Sequence, residues 1–210
     1  MDRKIIVFGA TGGTGIKICE ALGALSIPHA AFVRKGSEHK VKTKLTEIYQ
    51  GDVFQKKDIL KAITSESFTD IIIALGSRDL KGGNIRSTGT KNIVDALKEN
   101  SAKSKLHIVS AHGVGESWNG LRWYEKLFSK LFISKAMKDH EKQEQYAKTN
   151  PGGYHIIRPV GLRNGPSTGH IHHQKKGHLP HSDIARADVA KFLIESMFSN
   201  KSGEVSISRE

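Results

Sequence analysis

Apolar residues in this chain come in short, branched runs separated by stretches with helical spacing. Residues 4–8 (Lys-Ile-Ile-Val-Phe) predict a strand buried on both faces of a parallel sheet. Ile16, Ile18, Cys19 and Leu22 then recur as one face of a helix. Further strands are predicted at 29–33, 46–50, 70–75, 106–110, 154–158 and 204–208. Helices are predicted over 90–99, where Ile93, Val94 and Leu97 share a side, and over 187–198. The longest helical stretch spans 123–148 and stops at Asn150-Pro151-Gly152. In its first half Trp123, Tyr124, Leu127, Phe128, Leu131 and Phe132 have helical spacing and read as core.

Alternation of this kind predicts one α/β domain with a Rossmann-like, doubly wound parallel sheet that binds its ligand beyond the strands' carboxyl ends. Loops at about 112–125 and 161–186 are expected to cover a substrate. The most informative turn is Gly9-Ala10-Thr11-Gly12-Gly13-Thr14-Gly15, between the first strand and first helix. Glycines 9, 12 and 15 allow a sharp turn and close backbone approach to a diphosphate, which the amides and positive end of the helix would meet. The competing reading is a glycine-rich turn that binds nothing.

The length of 210 residues suffices for a full core without disulfides or structural metal, and the single cysteine, Cys19, falls on the inner face of the first helix. No apolar run approaches the ~20 residues that span a bilayer, and the start leads directly into a strand without room for a signal peptide. A cytoplasmic protein with no membrane partner is the expectation, and a monomer, because no unpaired apolar helix is apparent. The formal charge of +12 raises nucleic-acid binding. However, the lysines are scattered (Lys40/Lys42/Lys44, Lys56/Lys57, Lys103/Lys105, Lys175/Lys176) and no recognition motif accompanies them. A solvated basic surface that steers anionic ligands is the preferred reading, with no nucleic-acid partner expected.

Where the second strand ends, Arg34 and Lys35 stand with no acid beside them. An arginine there accommodates a 2′-phosphate, where a carboxylate would take the free 2′-hydroxyl, so NADPH/NADP+ is expected. The glycine turn, Val33-Arg34, Gly51-Asp52-Val53 and Leu75-Gly76-Ser77-Arg78 together resemble an atypical short-chain dehydrogenase/reductase. More closely, the chain resembles the NADPH-dependent flavin reductase/biliverdin IX-beta reductase group, with further matches at Gly89-Thr90-Lys91-Asn92-Ile93-Val94, Val109-Ser110-Ala111, Trp118 and Asp139-His140.

That resemblance implies a set of contacts. Thr11, Gly12, Gly13 and Thr14 would hold the diphosphate, Asp52 and Val53 would border the adenine, and Leu75, Gly76 and Arg78 would follow the middle of the cofactor. Ser110 would lie beside the nicotinamide, with Pro159 and Val160 closing its far side. Ser110 and His112 are the candidate catalytic residues, and His112, Trp118 and His140 the candidate substrate contacts, although His140 reads equally well as a solvated surface residue. His112 stands where a phenylalanine is expected, Val160 where a histidine is expected, and Glu38 where a second arginine is expected. Strand alternation would turn His112 to the same side as Ser110.

None of the four tyrosines is followed four residues later by lysine, so the general acid–base pair of alcohol dehydrogenation in this superfamily is missing. Planar conjugated acceptors such as flavins or biliverdin-type tetrapyrroles can take hydride and draw their proton from solvent. A reductase of such an anionic planar substrate is the main expectation, and a non-catalytic NADPH-sensing protein of the NmrA-like kind is the alternative. The segment holding His170, His172, His173, His178 and His181 lacks a metal-ligand spacing and reads as a mobile basic loop over the substrate mouth, with no metal expected.

Overall fold

In the computed structural model, which describes residues 3–41, 43, 46–77 and 83–210, the predicted alternation closes into one eight-stranded sheet. The strands are β1 (Ile5–Phe8), β2 (His29–Val33), β3 (Thr46–Gln50), β4 (Asp70–Ile73), β5 (Lys105–Val109), β6 (Tyr154–Pro159), β7 (Gly161–Arg163), β8 (Ile171–Gln174), β9 (Asp183–Ala185) and β10 (Gly203–Arg209). The helices are α1 (Gly13–Ala24), α2 (Lys56–Ser65), α3 (Ile85–Glu99), α4 (Trp123–Phe132), α5 (Ser134–Lys148) and α6 (Arg186–Phe198). The main sheet runs β3-β2-β1-β4-β5-β6-β10-β8, and β7 pairs with β9 in a separate parallel ribbon. Every pairing in the main sheet is parallel except that of the edge strand β8 with β10.

The chain reverses direction across the sheet where β1 lies between β2 and β4, which is where doubly wound folds open their ligand crevice. The branched runs explain the burial: all of β1, β2 and β4 is inaccessible because helices cover both faces. Alternate residues divide between two cores. Ile6, Phe8, Ile71 and Ile73 pack with α2, α3 and α5, whereas Ile5, Val7 and Ile72 pack with α1 and α6. Cys19 is buried in the second core, and burial pushes its thiol up to about 12, which makes it an unreactive apolar filler.

Several boundaries differ from the sequence reading. Helix α2 was not anticipated, since only Ile59, Ala62 and Ile63 mark its buried side among lysines. Helix α3 begins at Ile85, well before residue 90. The stretch 123–148 is two helices, because Ile133 adopts φ −126 and ψ 17, outside the helical region. The aromatic first half is not core: Trp123 is 77% exposed, Leu131 66%, Phe128 54%, Leu127 51% and Tyr124 45%. The reason for expecting a monomer, that no unpaired apolar helix remains, therefore fails. The histidine-rich segment is not a free loop either. Residues 171–174 are strand β8, and His178 Nδ1 lies 2.8 Å from the Gly120 carbonyl oxygen.

At the sheet's amino-terminal end, Asp70 is fully buried and accepts hydrogen bonds from Arg3, Thr69 and His107. Burial opposes its charge, but those three donors hold its carboxyl below the usual carboxylate range. His107, opposite His155 in the β5–β6 register, donates through Nε2 and is kept neutral by burial, so its Nδ1 is left buried with no partner among the described residues. Burial, followed by the neighbouring His107, lowers the His155 imidazole from 6.5 to about 4. Below 6.5 the unfolded chain therefore takes up a proton at this position that the native chain refuses until about 4. Stability should be full above that window and fall through it by up to about 1.4 kcal/mol per pH unit for such a histidine. Thermal denaturation from neutral pH down to the bottom of the window should show a falling Tm, and His155→Leu should flatten the slope. A Tm independent of pH there would contradict the assignment.

Candidate functional site

The crossover from β1 to α1 is shaped by close backbone contact. Gly9 has φ +84, and a Cβ on it would stand 2.4 Å from the Ala74 carbonyl oxygen; one on Gly15 would stand 2.1 Å from the Gly9 carbonyl oxygen. No other residue fits either place without moving backbone. The Gly12 amide donates to the Gly9 carbonyl at 3.0 Å, and Gly12 caps α1 in an extended conformation. Helix α1 has no side-chain cap and no acid in its first turn, so its leading amides and its positive end face outward undamped. Thr11 is half-buried and Thr14 buried beside them.

One cation here was not legible in the sequence. Arg186, the first residue of α6, lies across the turn, with its Nε 3.0 Å from where a Gly13 Cβ would be. Its Nη1 donates to Asn164 Oδ1 at 2.9 Å. The loop carrying Asn164 is in turn pinned by Asp188, whose buried carboxylate accepts from Ser167 Oγ, Thr168 N, Thr168 Oγ1 and Gly169 N. No motif links residues 13 and 186; the fold alone brings them together. Bare amides at the head of α1 and a guanidinium, two groups that favour an anion, thus lie together at this turn.

At the end of β2, Arg34 and Lys35 are exposed. Glu38 folds back into the same turn, where its carboxylate accepts from the Gly36 amide at 2.9 Å. That turn therefore does contain an acid, but one already engaged by backbone. Past β3, the Asp52 side chain accepts from the Phe54 amide, and Val53 is buried. Asn92 Nδ2 donates to the Val53 carbonyl oxygen at 2.9 Å, and Gly89 lets α3 approach so closely that a Cβ there would be 2.6 Å from Leu75 Cδ1. Leu75 is buried and Gly76 exposed after β4; Arg78 lies outside the described residues.

Ser110 and His112 follow β5. The Ser110 hydroxyl is buried and donates to Glu144 Oε1 at 2.6 Å. Glu144 also accepts a two-pronged contact from Arg158, with Nε at 2.9 Å and Nη2 at 2.6 Å. Both charged side chains are 4% exposed, so each requires the other. His112 Nδ1 lies 3.0 Å from Ser206 Oγ, on the strand residue registered with Arg158. Ser110 and His112 thus face the same side of the sheet, and burial lowers the imidazole so that it is neutral. Pro159 is buried, its carbonyl oxygen accepts from the His112 amide at 2.8 Å, and Val160 is half-buried beside it.

The loops at about 112–125 and 161–186 meet here. A Cβ on Gly120 would be 2.1 Å from the Gly177 carbonyl oxygen and 3.2 Å from His112 Cε1. Trp118, half-buried, lines a cavity of about 370 Å³ with Val114, Met137 and Lys138. His140 is not a solvated residue. Burial, and then the nearby Arg86, lowers its imidazole to about 3, and its Nδ1 has no partner among the described residues. Asp139 beside it accepts from the Arg86 and Ser87 amides and from Ser87 Oγ, fastening α5 to the start of α3.

A family model described as NAD(P)H-binding matches residues 9–200. An uncharacterised chloroplastic protein of Arabidopsis thaliana is 27% identical over 211 residues, covering 95% of this chain and 74% of the plant protein. Among solved structures, the anaerobillin reductase ChuY of Escherichia coli superposes with a TM-score of 0.82 at 22% identity, over 98% of this chain and 97% of that one. A Veillonella parvula short-chain dehydrogenase/reductase in complex with NADP gives 0.81 at 14% identity, over 100% and 95%. A candidate NADH-flavin reductase of Streptococcus pneumoniae gives 0.76 at 18%, over 99% and 100%. At those identities the structures establish likeness of fold. The family match over residues 9–200, most of the length, makes this protein a member of the NAD(P)H-binding family.

Proposed function

We propose that the protein is an NADPH-dependent reductase of a planar, conjugated, anionic substrate of the flavin or biliverdin type. The observation that carries the reading is the uncapped start of α1 under the Arg186 guanidinium, at the point where the strand order reverses. In this reading Gly12, Gly13 and Thr14 present amides to the diphosphate, and Thr11 borders it. Gly9 and Gly15 hold the turn in shape. Arg34 and Lys35 take the 2′-phosphate. Asp52 and Val53 flank the adenine, Leu75, Gly76 and Arg78 follow the cofactor's middle, and Pro159 and Val160 back the nicotinamide. Bound there, NADPH supplies a hydride.

The chain's own groups then set orientation. Glu144, paired with Arg158, accepts the Ser110 hydrogen, so Ser110 offers lone pairs to the site and acts as an acceptor. Neutral His112 offers a flat ring next to it, with Trp118 and His140 further out along the substrate face. A proton from solvent fits a Ser110 hydroxyl that is already committed. The ChuY and S. pneumoniae proteins are named for anaerobillin and flavin reduction, which supports this substrate class. The same internal commitments of Ser110 and His112 favour a second reading, an NADPH sensor of the NmrA-like kind without turnover.

Two experiments decide. NADPH oxidation followed by absorbance with FMN, riboflavin and biliverdin should show saturable turnover with at least one of them; tight NADPH binding without turnover would transfer the assignment to the sensor. In calorimetry, Arg34→Asp should weaken NADPH about 10- to 100-fold while leaving NADH nearly unchanged, as expected for loss of one charge-assisted phosphate contact. Arg186→Ala should weaken both dinucleotides alike. Equal losses for both cofactors in Arg34→Asp would reject the 2′-phosphate role.

A further inference from the structure

Helix α4 is built inside out. At about 100° per residue, Trp123, Leu127 and Leu131 form one stripe and Tyr124 and Phe128 the adjoining one. Ser129, on the opposite side, is buried, and the stripes face solvent. A helix that served only to cover a core would turn the other way. Its conformation does not depend on that apolar face. The Glu125 carboxylate accepts from the Arg122 amide at 2.7 Å as an end cap, and the Arg122 guanidinium donates to the Tyr124 hydroxyl at 2.8 Å. Trp123 and Tyr124 meet edge to face at 5.9 Å.

The rim of this face is basic. Arg122, Lys126 and Lys130 flank it on α4, and Lys135, Lys138 and Lys142 continue the charge along α5. Of the acids on these two helices, Asp139 and Glu144 are buried and bonded to Ser87 and Arg158, which leaves Glu125 and Glu141 toward solvent. The whole chain carries +12. From the outward apolar stripes, the aromatic pair at their start and the lysine rim, we infer that α4 is a docking helix for an anionic lipid surface. The apolar stripes enter the boundary between headgroups and acyl chains, Trp123 and Tyr124 lie at headgroup depth, and the lysines extend to lipid phosphates. No described helix is long and apolar enough to cross a membrane, so the contact is peripheral. A second copy of this chain fits the face less well, because pairing two such rims would set lysines against lysines. This inference is independent of the reductase reading.

The test uses the full chain, and for the fluorescence arm alone Trp118→Phe leaves Trp123 as the sole tryptophan. Vesicles of phosphatidylcholine with about one-third phosphatidylglycerol should co-sediment the protein and shift Trp123 emission to the blue. Pure phosphatidylcholine vesicles or high salt should reduce binding at least about tenfold, at ~1 kcal/mol for each engaged cation. Leu127→Ser with Leu131→Ser should abolish binding to the anionic vesicles while Tm and NADPH affinity stay unchanged, since both side chains are exposed. Vesicle binding that persists in that variant would overturn the proposal by placing the contact elsewhere on the basic surface. Absence of vesicle binding would also overturn it. In that case a concentration-dependent dimer lost in the variant would identify a second copy as the occupant, and a changed KM without dimerisation would identify a substrate cover.

Discussion

Two glycines pressed against each other hold the first crossover closed. The Gly15 Cα approaches the Gly9 carbonyl so closely that a methyl on it would overlap the oxygen, and Gly9 in turn lies against the end of β4. Because of that contact α1 can start directly above the sheet, pointing its uncapped amides into the crevice between β1 and β4. A side chain at either position would lift the helix and move its leading amides away from the crevice. The remaining elements are arranged around this point. Helix α6 lies beside α1 and delivers Arg186, while Asp188 on the same helix pins the loop that holds that arginine in place.

Polar groups deep in the molecule sit at opposite ends of the strands, for different reasons. At the amino-terminal end Arg3, Thr69 and His107 all donate to Asp70, and that end is structural. At the carboxyl end Glu144 and Arg158 form a bidentate pair whose burial would be costly without such geometry. That pair also fixes Ser110, so the residue nearest the proposed chemistry is oriented by a charge network rather than by its own loop.

Helix α4 departs from this economy. Five large apolar side chains face water on a helix whose buried side carries a serine. Amphipathic spacing was correctly read along 123–131, yet it was assigned to the core. Periodicity shows that a helix has two faces and is silent about which one meets the protein. The non-helical Ile133 turns α4 away from the direction of α5, which stays packed against α3 through Asp139 and Gln143.

From residues alone, the strands at 29–33 and 46–50, the glycine crossover and the parallel doubly wound order could be read, because local sterics and hydrophobic alternation decide them. The basic turn at Arg34 was equally visible, being contiguous in the chain. Tertiary structure alone decided the rest. It brought Arg186 over Gly13, set Glu144 and Arg158 under Ser110, left His140 half-buried, joined Gly120 to Gly177 and turned the aromatics of α4 outward. Each of these links residues far apart in sequence, or concerns the side of an element that faces its neighbours. Such distances and orientations are settled by packing, which no local pattern encodes.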